Sequence, residues 1–129
     1  MPPQEFVGAL KITVHDSSID NTLTVLNEGP AGRGPAKRLT ELSQWFHSLS
    51  ADDRTRLRQV VGLAVHASLF GVFCLLDGVQ VIDDGGRTRL ELRAVVGGNA
   101  TLLNPSTGEM LHDMYQAEVY TDVFGGAAA

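Results

Sequence analysis

Hydrophobic and polar positions change their period several times along this chain. The run EFVGALKITV, Glu5 to Val14, is rich in apolar and β-branched residues, as is TLTVLNEG from Thr22 onward, and the polar stretch HDSSIDN lies between them. That pattern predicts two strands joined by a polar turn. GPAGRGPAKR then breaks the pattern as a loop or linker, with Pro35 suited to a first helical turn. Leu39, Leu42, Trp45, Phe46 and Leu49 follow at spacings of three and four, which predicts an amphipathic helix.

Ser50 precedes ADDR, a variant of the capping box, and Asp52 and Asp53 suit the positive end of a helix dipole. A second helix is therefore predicted from about Ala51 to Leu76, with Gly78 as its C′ residue. Its first half is amphipathic. Its second half, GLAVHASLFGVFCLL, is apolar on every side, which predicts that neighbours surround it. VQVI reads as a short strand and DDGGRT as a turn. RLELRAVV alternates as a half-buried strand does, GGN turns the chain, and ATLLN completes a hairpin. A short helix is predicted from about Glu109 to Ala117 and a flexible tail over 125–129. The sum is a single α+β domain, residues 1–124. An antiparallel sheet of about four strands packs on a long buried central helix, beside an amphipathic helix and a short C-terminal helix.

Composition narrows the function classes. The 129 residues are 43% hydrophobic and 19% charged, which suits one globular domain. A net charge of −5 argues against nucleic acid, whose phosphates reward clustered Lys and Arg. The one cysteine, Cys74, cannot form an internal disulfide, and its apolar neighbours predict a small core residue rather than a nucleophile. MPPQEFVGAL lacks the pattern of a signal peptide, so a cytoplasmic location is expected. The uncharged run from Gly62 to Leu76 is 15 residues long. Spanning a bilayer takes about 20, so a core helix is preferred to a membrane span.

Candidate chemistry rests on four histidines. His66 and Asp77 return to nearly one helix face, but about 16 Å of rise separates them, so they form no dyad. A core histidine with a ring nitrogen bonded to a carbonyl or side chain is the favoured reading of His66. His15-Asp16 and His112-Asp113 are two His-Asp pairs, His47 stands apart, and no HxxxH or HExxH spacing supports a metal site. Spacing leaves open a ligand pocket that uses His66, His112 and Asp113, with His15 near. Gly29 and Gly34 have P-loop separation, but Pro35 replaces the lysine and removes a donor, which argues against nucleotide binding. No cofactor is expected. Lys37, Arg38, Arg54, Arg56 and Arg58 read as solvated helix surface. The Asn99-Ala100-Thr101 sequon has no meaning without secretion.

LFGVFCLLDG, RLELR, LLN and LHDMYQA, in that order between Ser50 and Ala117, resemble small bacterial proteins of the toxin-immunity type. The resemblance implies a protein that occludes a partner, such as a toxin-like enzyme, and it transfers no catalytic residue. The leading expectation is thus a small binding or inhibitor protein. Its acidic loop residues Asp16, Asp20, Glu28, Asp83 and Asp84 would steer it to a basic partner surface. The alternatives are a homodimer or structural subunit, and a small enzyme or ligand-binding domain.

Overall fold

The computed structural model describes residues 1–29 and 36–126. The chain mixes helix and sheet but is 65% helical, and among the described residues the sheet has two antiparallel strands rather than four. The two N-terminal strands expected from β-branched composition are helix. Helix α1 (Pro3–Leu10) runs through a π-helical segment, Lys11–Asp16, into α2 (Ser17–Glu28). Pro2 and Pro3 open α1, where a missing N–H costs no hydrogen bond. Tertiary packing overrides the local preference, because Val7, His15, Ile19 and Leu26 fall at helical spacings and are buried together on one side. The hydroxyls of Thr13 and Thr22 donate to carbonyls four residues back, and Ser17 donates to Ile12, five residues back.

Most of the expected loop, residues 30–35, lies outside the described residues, as does 127–129 of the expected tail. Helix α3 (Lys37–Ser48) is the predicted amphipathic helix. It is tied to the end of α2 by the Ser43 hydroxyl, which donates to the Leu26 carbonyl at 2.8 Å, and by His47 Nε2, which donates to the Asn27 carbonyl at 2.8 Å.

Helix α4 (Ala51–Leu76) begins where the capping signal places it, with the Asp53 N–H donating to Ser50 Oγ at 3.1 Å. Gly78 has φ +75°, as a C′ glycine should. The helix differs from expectation in burial. Gly62, His66, Phe73 and Cys74 are buried, whereas Val60, Leu63 and Val72 are 58%, 47% and 51% exposed. By length and composition α4 is able to cross a membrane, with a mean hydropathy of 2.0 over its most apolar window, of which 22% is buried. It is a central helix packed on one face only.

Residues 79–92 are irregular, so VQVI and the start of RLELRAVV are not strands. Strand β1 (Arg93–Val96) pairs with β2 (Asn99–Leu102), Val96 opposite Asn99. Gly97 and Gly98, at φ +54° and +86°, make the two-residue turn that only φ-permissive residues close easily. Asn104 anchors this hairpin. Its Nδ2 donates to the carbonyls of Leu76 and Leu90 at 2.6 and 2.7 Å, and its Oδ1 accepts from the Leu92 N–H at 2.9 Å. Helix α5 (Leu111–Phe124) is longer than the predicted Glu109–Ala117 and closes the core. That core joins Val7, Phe73, Leu111, Met114, Tyr115 and Val119.

Candidate functional site

Three features have the chemistry of a site: a line of histidines and aromatic rings through the core, a polar cavity at its π-segment end, and an apolar surface on the far side of α4.

The line begins where α4 ends. The Asp77 side chain is 4% exposed and lies at the start of α5. Its carboxylate accepts the backbone N–H groups of Leu111 (3.2 Å) and His112 (2.8 Å) and the Nδ1–H of His112 (2.6 Å). Asp77 therefore caps α5 from another helix and orients the His112 ring, leaving Nε2 3.3 Å from the exposed Asp113 carboxylate. Such a pair supplies an oriented imidazole. Cys74 lies nearby, and burial pushes its thiol up, with Asp77 and Asp113 adding to the effect, so it stays protonated and unreactive at neutral pH.

Phe70 stands between His112 and His66, with ring centroids 5.5 Å from the first and 5.4 Å from the second. The expected ligand set of His66, His112 and Asp113 is thus split by an aromatic ring. His66 is stacked between Phe70 and Tyr115 with Phe124 edge-on, and its Nε2 is sealed from solvent with no hydrogen-bond partner among the described residues. The sequence leads to a core histidine bonded through a ring nitrogen; His66 is in the core, and its Nε2 makes no such bond. Burial holds the His66 pKa below its ordinary value, which favours the neutral ring that aromatic stacking accommodates.

Tyr115 links His66 to His15. Its hydroxyl is 2.7 Å from His15 Nδ1, and both residues are buried. Spacing could not pair residues 15 and 115. One partial signal was present in the chain, where His15 follows the alternating apolar residues Ile12 and Val14. His15, with Asp16, Arg58, Gln59 and Asp122, lines a cavity of ≈ 320 Å³ between the π segment, α4 and the end of α5.

The acidic residues expected to contact a partner are dispersed. Asp16 binds Lys11 at 3.0 Å and Asp20 binds Arg58 at 2.5 Å. Glu28 ends α2. Asp83 accepts the Thr88 N–H at 3.4 Å in the loop after α4, next to the exposed Asp84. Asp16, Asp20 and Glu28, expected in loops, lie instead on the continuous helix of the π segment and α2, and only Asp83 and Asp84 are in a loop.

The groove beside α4 was not legible in the sequence, where Leu39, Leu42 and Trp45 give only an amphipathic-helix pattern. Val25, Leu26, Leu39, Leu42, Trp45 and Leu57 line a groove of ≈ 530 Å³ between α2, α3 and α4, almost without polar atoms. A second apolar depression, ≈ 440 Å³, continues along α4 past Val14, Val61, Val65 and Leu69. In comparisons with known proteins, no family model, curated protein or solved structure matches this chain.

Proposed function

We propose that the protein works by binding another protein, as an inhibitor or immunity-type partner does, through the groove between α2, α3 and α4 rather than through its acidic loops. The observation that carries this reading is the exposed apolar surface running from Leu39, Leu42 and Trp45 along α4 to Val72. Contiguous apolar patches of this kind mark contact sites on folded proteins. The groove is concave and lined by an aromatic anchor, Trp45, which suits a protruding apolar helix or ridge better than a flat lipid surface. Net charge selects among protein partners. A chain of charge −5 repels its own copies and attracts a partner with basic residues around that ridge.

Trp45 is the only tryptophan, so binding reports directly in its fluorescence. Tagged protein from its native cells should retain one stoichiometric partner. That partner, identified and purified, should rebind wild type with a blue shift of Trp45 emission and fail to bind Leu42→Asp, whose circular dichroism stays unchanged. Three outcomes overturn the reading: capture insensitive to Leu42→Asp, a concentration-dependent homodimer lost in that variant, or flotation with phosphatidylglycerol vesicles and no protein partner.

A further inference from the structure

The cavity beside the π segment is independent of the apolar groove, and its chemistry is polar. π-Helical turns insert an extra residue into a helix and recur at functional sites. This one, Lys11–Asp16, carries His15 on its buried side, 1% exposed. Tyr115 is fully buried, and His15 Nδ1 is the one partner of its hydroxyl among the described residues. A buried phenol proton needs an acceptor, and the imidazole nitrogen is the acceptor within reach. The Tyr115 O–H therefore donates to Nδ1, which places the imidazole proton of neutral His15 on Nε2. Burial supports both neutral forms, since it raises the pKa of Tyr115 and lowers that of His15.

With Nδ1 turned to Tyr115, the Nε2 edge is the one left to face the cavity that His15 lines, and Nε2 has no protein partner among the described residues. The charged groups around it are already matched. Lys11 holds Asp16 at 3.0 Å and Asp122 at 3.5 Å, while Arg58 holds Asp20 at 2.5 Å. The Gln59 amide also lines the space. Gly62 forms part of the wall, where a Cβ would come within 3.7 Å of Ile19, so the absent side chain adds to the room.

We propose that this cavity binds a small molecule through a carbonyl or carboxylate oxygen that accepts from His15 Nε2–H, with Tyr115 fixing the tautomer that makes the donor. A volume of ≈ 320 Å³ equals about ten water molecules at their liquid volume, which sets the size of the ligand. Tyr115 is a positioning residue: it acts on the ligand through His15.

The test is nitrogen-15 NMR of the histidine rings during titration with acetamide and, separately, sodium acetate. Wild type should show His15 protonated at Nε2, and at least one probe should shift its Nε2 resonance saturably. Acetamide alone would define a neutral carbonyl ligand and acetate alone a carboxylate. Tyr115→Phe should release the tautomer and weaken the probe about tenfold, the effect of one hydrogen bond of 1.4 kcal/mol. Should that variant fail to fold, Gln59→Leu at the exposed cavity edge should keep the tautomer and still weaken the probe. An Nδ1-protonated His15 in wild type overturns the proposal, as does a His15 resonance that neither probe shifts saturably.

Discussion

The two faces of α4 are filled against the usual rule. One face, turned to α5 and the π segment, places His66 among Phe70, Tyr115 and Phe124. The rest of its circumference leaves Val60, Leu63 and Val72 in solvent, with Leu63 and Val72 on opposite sides of the helix. The inner face is explicable within the chain, because stacked rings accept a neutral imidazole and aromatic pairs add to area burial. The outer face is not, since exposed valine and leucine contribute little to this fold. In the proposed function a partner covers them, which is why that proposal rests on the apolar surface rather than on the acidic residues.

Substitutions that sharpen this contrast span a wide range of effects. Phe73→Ala on the inner face should cost about 3–5 kcal/mol, the usual loss for a buried phenylalanine, because Phe73 is 2% exposed and touches Phe6 and Tyr115. Denaturant unfolding measures it, and a loss below about 1 kcal/mol would show that the inner face is not the core. Asp77→Ala should cost about 2–4 kcal/mol, combining a lost helix cap with lost bonds to a charged acceptor. The same variant should fray the first turn of α5, visible as faster amide exchange at Leu111 and His112.

The histidines of the inner face make a pH prediction with a definite sign. Burial depresses the pKa of both His15 and His66 from 6.5 in the folded state. The unfolded chain therefore binds protons first as pH falls. Stability is full above about pH 6.5, declines below it by up to about 1.4 kcal/mol per pH unit for each histidine, and levels off once the folded rings also protonate. Unfolding free energies across the acid range should lose part of that slope in His66→Phe. An unchanged slope would mean that His66 does not titrate as a buried ring.

The smallest effect belongs to the outer face. Val72→Ser should change stability by less than about 0.5 kcal/mol, as surface substitutions do, since Val72 is 51% exposed. A cost above about 2 kcal/mol would show that the face is covered in the isolated protein, and size-exclusion chromatography with light scattering would then identify a self-associated form.

Local signals in the sequence determined the ends of α4 and the course of α3. Ser50 as N-cap, Gly78 as C′ and the leucine spacing around Trp45 are interactions between near neighbours, and they act the same in any tertiary setting. The Gly97-Gly98 turn was legible for the same reason. Tertiary structure decided the rest. The β-branched residues of 12–14 and 22–25 favour strands locally, but packing Val7, His15, Ile19 and Leu26 against α4 and α5 outweighs that preference, which spans only about 1 kcal/mol. The candidate site was hidden for a related reason. His15 meets Tyr115, and Asp77 meets His112, across separations in the chain that no periodicity encodes. Composition showed that the second half of α4 is apolar all round, and only the arrangement of its neighbours decided which part of that surface is covered.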